Sequence, residues 1–380
     1  MSDVLLKDEH KMIQQTAREF AQKEVALYAA ECDREAKFPK SGIQKCAELG
    51  FMGIAVPEQY GGSGLDYFSY VLVLEEIAAV CASTAVIVSV NNSLVCTPLK
   101  TFGNEWQKKT FLTPLARGEK LGCFCLSEPN AGSDAGNQQT IALKKGDEYI
   151  LSGTKNFITN GPQADTAIVF AVTDKSNPKK RISAFIVDMH SQGVEVGKVE
   201  KKMGIKGSGC SQIIFNDVKV SKENLLGEEG EGFKVALHTL DGGRIGIGTQ
   251  AVGIARGAFE AARNYAKERI QFGKPISEFQ AIQWILADMA TTIDAARLLV
   301  YRATELEDRG LRYTKEAAMA KLFASETAMK VTTNAIQVYG GYGYSKEYPV
   351  ERFFRDAKIT EIYEGTSEVQ RMVIAGQILR

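Results

Sequence analysis

The hydrophobic period of this chain changes twice. It is helical up to about residue 120, alternating from about Leu121 to Gly227, and helical again from the GEEGEGF segment (227–233) to the end. A strand period cannot be satisfied by a helix, nor the reverse, so the two switches demand three successive structural regions. In the first, Met12, Ile13, Ala17, Phe20, Ala21 and Val25 recur at helical spacing over Lys7–Ala30, and Phe38-Pro39 supplies a stop. Further helices are expected over Ser41–Leu49, Asp66–Val90 and Glu105–Arg117, with a Gly-rich loop at 57–66. In the second, CFCLSE, EYILSGTKNFITN, TAIVFAVT, RISAFIVDM, GVEVGKVE and SQIIFNDVKV are short apolar runs separated by Gly, Asn, Asp and Lys turns. The missing helices between them argue against βαβ units and for a mostly antiparallel barrel or sandwich. In the third, long amphipathic segments end at Gly310 and at Gly340-Gly341, as helix stops do. The expected fold is α+β and multi-domain: an N-terminal helical domain (1–120), a middle β-barrel or sandwich (121–230) and a C-terminal four-helix bundle (231–380).

Forty-six basic and 46 acidic residues give a formal charge of zero. Such a chain lacks the basic field that nucleic-acid or anionic-membrane binding requires. Ile77–Val90 is the longest apolar run; at 14 residues it suits a buried helix rather than a span. The first residues, MSDVLLKDEHK, carry acids and no apolar stretch, unlike a secretory or transit peptide, so a bacterial cytoplasm is the simplest expected location. Seven cysteines without CxxC spacing and three histidines do not assemble a metal site. Buried free thiols are expected, with Cys123 and Cys125 on one strand face.

No G-x-G-x-x-G opens a helix after a strand, so a Rossmann dinucleotide site is excluded, as are a P-loop and a G-x-S-x-G elbow. Four segments carry chemistry. FCLSEPNAGSD (124–134) runs from a strand into a turn rich in exposed amides and hydroxyls, which can cradle phosphate, although an ordinary turn is the commoner use. KNFITNG (155–161) puts Phe157 and Thr159 on one strand face, an aromatic beside a hydroxyl. In DAKITEIYEGTSEVQ (356–370), Glu364 lies before Gly365-Thr366 and a capping-box-like Ser367…Gln370. A carboxylate there is a general base if desolvated, or a helix-start carboxylate favoured by the dipole. In RIQFGK (269–274), Arg269 is either a surface cap or an anion binder.

These segments, with LDGGRIGIGTQAVG and QVYGGYGYSKEYPVERFFRDAK, occur in an order that resembles the acyl-CoA dehydrogenases over essentially the whole chain. The short-chain, butyryl-CoA members are the most similar. That family introduces a Cα–Cβ double bond into acyl-CoA thioesters with FAD. The resemblance implies that Phe124, Leu126, Ser127 and Ser133 contact the flavin, Ser133 also reaching the CoA side. Phe157 and Thr159 would lie against the isoalloxazine; many members have Trp where this chain has Phe157, so the platform is smaller here. Asp241 and Arg244, in a DGGR turn, and Gly365 would contact the substrate. Arg269, Gln280, Gln337, Gly340 and Gly341 would reach the FAD of a neighbouring subunit in a dimer-of-dimers homotetramer, with Phe272 also at the cofactor and Thr366 and Glu368 on the adenine side. Glu364 falls on the catalytic base of the YEGT motif. Some relatives carry the base on a bundle helix, at a place that falls here on Gly243 or a close neighbour, which cannot act.

The expected activity is therefore oxidation, or the reverse reduction, of a short-chain acyl-CoA, with electrons exchanged with an electron-transfer flavoprotein. A branched, cyclic, dicarboxylic or aryl-acryloyl CoA, or an oxygen-using oxidase, is the alternative within flavoenzymes. Asn91 and Asn92 would then supply a polar pocket wall, or else cap a helix end. A catalytically inactive scaffold or nucleic-acid-binding family member is the alternative from another class. The intact Glu364 and the zero net charge count against it.

Overall fold

In the computed structural model, residues 6–177 and 180–379 are described. The N-terminal region comprises α1 (Asp8–Phe20), α2 (Ala26–Glu35), α3 (Lys40–Glu48), α4 (Tyr67–Ala78), α5 (Ala82–Ser89), α6 (Thr97–Phe102), α7 (Glu105–Gln107) and α8 (Thr113–Ala116). The expected first helix is two, joined through a π-helical turn at Ala21–Val25, and it ends on Ala36 in the left-handed conformation rather than at Phe38-Pro39. The apolar run Ile77–Val90 is buried but is not one helix. The chain breaks after Ala78 and turns extended at Cys81 before α5 begins. A neighbouring helix crosses at this break: a Cβ on Gly257 would lie 2.2 Å from the Ala79 carbonyl oxygen. The helical path then continues through Asn91 and Asn92 in a π-helical turn, Val90–Cys96. The run Ala82–Phe102 is long and apolar enough to cross a membrane, yet its apolar window is 94% buried within the protein.

Asn92 borders a small cavity with Tyr67, Tyr70 and Thr97, Asn91 does not, and neither is a helix N-cap; both side chains are spent on backbone groups. The Asn91 amide donates to the Met52 and Leu115 carbonyls and its oxygen accepts from Gly122 N–H at 3.0 Å; Asn92 donates to Phe51 and Val88 and accepts from Ile54 N–H. They bond backbone groups of loop, helix and strand residues inside the core.

The middle region is one eight-stranded, mostly antiparallel sheet. Its strands are β1 (Gly122–Cys125), β2 (Ile141–Lys145), β3 (Glu148–Thr159), β4 (Thr166–Val172), β5 (Ile182–Asp188), β6 (Val194–Val199), β7 (Cys210–Ser221) and β8 (Leu225–Leu226). The order is β6-β7-β3-β2-β4-β5-β8, and β1 pairs in parallel with β4. β2 meets β4 only at Ile141–Val172, so the 126–140 loop leaves the sheet where β1 ends. Cys123 and Cys125 do share a face, in a core with Tyr149, Phe185 and Phe215.

The C-terminal region comprises α9 (Gly232–Glu268), α10 (Gln280–Asp308), α11 (Thr314–Tyr339), α12 (Val350–Lys358) and α13 (Ser367–Ile378), with a small hairpin of β9 (Ile270–Gln271) and β10 (Lys274–Pro275) between α9 and α10. Gly310 and Gly340 follow α10 and α11 with φ of 65° and 61°, the expected stops. A buried ionic cluster locks the N-terminal helices to the bundle. Glu76 on α4 binds Arg18 of α1 and Arg256 of α9, and Glu75 binds Arg256 and Arg297 of α10.

Candidate active site

The turn between α12 and α13 sets the geometry of Glu364. Glu364 and Gly365 are both left-handed, with φ of 52° and 94°. A non-glycine residue in that region is held only where its surroundings over-determine it. Here Gln370 donates its amide to the carbonyls of Glu364 (3.2 Å) and Gly365 (2.9 Å), and Lys321 donates its ammonium to the Gly365 carbonyl at 2.7 Å. The α13 N-cap is Thr366, whose hydroxyl accepts from Val369 N–H; the capping box expected from Ser367 and Gln370 does not form, because Gln370 is engaged in the turn.

The turn aims Glu364 at α9. Glu364 as a residue keeps some solvent exposure, but its Oε2 is buried and has no hydrogen-bond partner. Burial raises its carboxyl to about 7, against the opposing pull of Lys321 and Arg244. The DGGR segment is not a turn. It lies inside α9, so Asp241 and Arg244 are neighbours on one helix face, paired at 2.6 Å, and Asp241 also accepts from Thr314. Gly243, between them, faces Glu364: a Cβ there would lie 2.1 Å from Oε2 and 2.8 Å from Leu94 Cδ2. On α4, Tyr67 donates to the Gly242 carbonyl at 3.0 Å and Tyr70 bonds the Ser89 hydroxyl at 2.8 Å. The Tyr363 hydroxyl donates to the Gln250 side chain. The Glu364 turn is thus enclosed by α4, α9 and α11.

A second group forms where β3 runs beside the end of β1. Asn156 N–H donates to the Ser127 carbonyl at 2.8 Å, and Lys155 donates to the Leu126 carbonyl at 3.1 Å. Phe124 is buried edge-on to Phe170. An extra residue on β3 between Lys155 and Ile158 makes a bulge, and Phe157 leaves it with φ of 57° and 64% of its surface exposed. Thr159 is half-buried and Ser133 is exposed at the loop tip. A large aromatic held out of a sheet by a strained backbone, beside exposed loop amides, suits the flat apolar ring and polar tail of a flavin.

A third group lies at the far end of the bundle. Arg269, Gly340 and Gly341, with Tyr265, Gln271, Ile276, Val338, Tyr339 and Tyr342, line an open cavity of about 470 Å³. Arg269 lies 5.3 Å from the Tyr342 ring centre. A Cβ on either glycine would meet nothing within 4 Å, so the backbone there is open to a ligand. Phe272 is 95% exposed, and Gln280, Gln337 and Glu368 are exposed too; none of these four lines the cavity.

Three charged residues escaped the motif reasoning. Glu128 and Lys155 form a buried ion pair at 2.8 Å. Lys155 also holds Gln138, and the Glu128 carboxylate accepts from the N–H groups of Gln139 and Thr140, so the pair pins both ends of the 126–140 loop. Lys321 is fully buried on α11 among Ala317, Ala318, Ala320 and Ala324. The available signal was a lone lysine within an alanine stripe, a position where an unneeded charge would be costly.

Three acyl-CoA dehydrogenase domain families match this chain: N-terminal at residues 7–119, middle at 123–218 and C-terminal at 230–379. The short-chain-specific acyl-CoA dehydrogenase of Clostridium acetobutylicum is 51% identical over 378 residues, covering 100% of both chains. Among solved structures, butyryl-CoA dehydrogenase from Megasphaera elsdenii superposes with a TM-score of 0.97 at 51% identity, covering 99% of each chain. A chain from a structure described as the electron transferring flavoprotein of Acidaminococcus fermentans gives 0.98 at 53%, also covering 99% of each. An acyl-CoA dehydrogenase of Bacillus anthracis solved with FAD gives 0.91 at 38%, with 99% of this chain and 67% of that one covered. With all three domain families matched in order around the enclosed Glu364 turn, the chain belongs to the acyl-CoA dehydrogenase family and is an oxidoreductase.

Proposed function

We propose that this protein is an FAD-dependent short-chain acyl-CoA dehydrogenase in which Glu364 removes the α-proton of the thioester substrate. The observation that carries this is the buried, unpartnered Glu364 Oε2, its carboxyl raised to about 7, held on a strained turn against Gly243. A base with that affinity is half ionised near neutral pH and can take a carbon-bound proton once the thioester carbonyl has made that proton more acidic. Burial does this work by disfavouring the charged form, while Lys321 and Arg244 keep it accessible. The backbone N–H of Glu364 would donate to the thioester oxygen and stabilise the developing enolate. Gly243 leaves room for the carboxylate to meet the α-carbon.

FAD supplies the hydride acceptor for the β-carbon when bound. Phe157 and Thr159, with Phe124, Leu126, Ser127 and Ser133, would hold its ring; Arg269, Phe272, Gln280, Gln337, Gly340, Gly341, Thr366 and Glu368 would hold the remainder, some from a neighbouring subunit of a homotetramer. Asp241, Arg244, Ser133 and Gly365 would contact acyl-CoA. An electron-transfer flavoprotein would exchange the electrons, in a bacterial cytoplasm. The short-chain assignment is supported by the similarity to short-chain and butyryl-CoA relatives.

The test is anaerobic flavin bleaching across acyl-CoAs of increasing length and branching. Fastest bleaching by butyryl-CoA supports the assignment; a branched, cyclic or dicarboxylic thioester bleaching faster replaces it, and rapid peroxide formation in air moves the protein to an oxidase.

A further inference from the structure

The Glu364 carboxylate has two cations near it, and they are not equivalent. Arg244 is committed: its guanidinium is paired with Asp241 at 2.6 Å, and Asp241 is held in turn by Thr314. Lys321 is fully buried, and among the described residues it has no carboxylate within 4 Å; its ammonium donates to the carbonyl of Gly365, the residue after Glu364. We propose that Lys321 is a positioning residue of the active site: its buried ammonium holds the Glu364–Gly365 turn by the Gly365 carbonyl and keeps the Glu364 carboxyl in its ionised, proton-accepting form. This rests on Glu364 being the base.

Two arguments meet here, the geometry carrying the proposal and the electrostatics supporting it. The first is geometric. Glu364 at φ 52° and Gly365 at φ 94° form a turn that needs external ties, and Lys321 and Gln370 are the side chains that provide them. The second is electrostatic. A lysine among alanines loses its hydration, and burial accordingly pulls it down to about 8, with Glu364 the main group opposing that. A neutral residue would avoid that cost. A charge retained in such a place acts on whatever faces it, and in reverse Lys321 is the main charge drawing Glu364 down. The other titratable groups around the pair do not supply this field. Tyr67 and Tyr70 from α4 and Tyr363 from the turn itself are pushed upward by burial and stay neutral. Glu361 and Glu368 favour the charged form of Lys321.

The experiment is an infrared titration of FAD-loaded protein, following the carbonyl band of the protonated Glu364 acid, identified by its loss in Glu364→Gln. Lys321→Met removes hydrogen bond and charge; Lys321→Gln keeps a donor without charge; Lys321→Arg keeps charge. The midpoint is expected to rise by about one pH unit or more in the Met and Gln variants and to stay near wild type in Arg, the range for loss of a neighbouring opposite charge. An unmoved midpoint in either neutral variant, or an equal rise in Arg, overturns the proposal. If the Met variant does not fold, the Gln and Arg variants decide by the same criteria. Bleaching of Glu364→Gln by butyryl-CoA at the wild-type rate would remove the base assignment instead, without altering what the titration says of Lys321.

Discussion

The carboxylate of Glu364 occupies the space that a side chain at position 243 would need. A Cβ on Gly243 would lie 2.1 Å from Glu364 Oε2, and the next nearest atom is the end of Leu94. Both obstructing groups are the tips of flexible side chains, so the fold can yield and the Glu364 carboxylate cannot keep its place. Gly243→Ala should therefore cut the rate of single-turnover flavin bleaching at least tenfold. Its melting temperature should hold or rise, since Ala exceeds Gly by about 1 kcal/mol inside a helix. Wild-type bleaching in this variant would show that the carboxylate does not work from where it lies.

Glu364→Gln keeps shape but cannot take a proton. General-base catalysis contributes ~10²–10⁴ in rate, roughly 3–5.5 kcal/mol of barrier, and bleaching should slow by at least a hundredfold with FAD and acyl-CoA still bound. Because the carboxyl is raised to about 7, wild-type bleaching should increase as pH rises through 7. Stability moves the other way. A raised acid favours the folded state while protonated, and that contribution is lost as pH rises through 7. The Gln variant should thus melt above wild type at pH 8 and close to it at pH 5. A variant that melts below wild type at pH 8 contradicts the buried charge.

The Glu128–Lys155 pair should behave as a buried ion pair, not a surface one. Lys155→Met leaves Glu128 ionised with its partner gone and should cost about 3–5 kcal/mol in denaturant melts. The exposed Lys222–Asp147 pair, at 2.6 Å, is the control, and Lys222→Met should cost under about 1 kcal/mol. Protease sensitivity within the 126–140 loop should rise only in the first variant. Equal costs for the two would mean that the loop is held by something else.

Arg269→Ala should lower FAD content and weaken the proposed tetramer together, because Arg269 borders the open 470 Å³ cavity beside Gly340 and Gly341. Flavin content by absorbance and mass by light scattering check both. Full flavin content with an unaltered mass removes Arg269 from the proposed cofactor site.

Much of this protein is local and therefore readable from the chain. Period and turn chemistry act over a few residues, so the sequence alone determined the helical, β, helical order, the stops at Gly310 and Gly340, and the shared face of Cys123 and Cys125. It also singled out Glu364, because a YEGT segment before a helix is a contiguous pattern. Tertiary structure decided the rest. The break after Ala78 depends on how closely α9 crosses α4, and the destination of the Asn91 and Asn92 amides depends on segments 24 to 41 residues away in sequence. DGGR reads as a turn from its glycines, yet it lies within α9, where those glycines let Glu364 and the Tyr67 hydroxyl approach the helix backbone. Whether Glu364 is a base or a helix-start carboxylate is a question of desolvation. Burial is a sum over neighbours from four separate segments, α4, α9, α11 and its own turn, and no window of sequence contains them together.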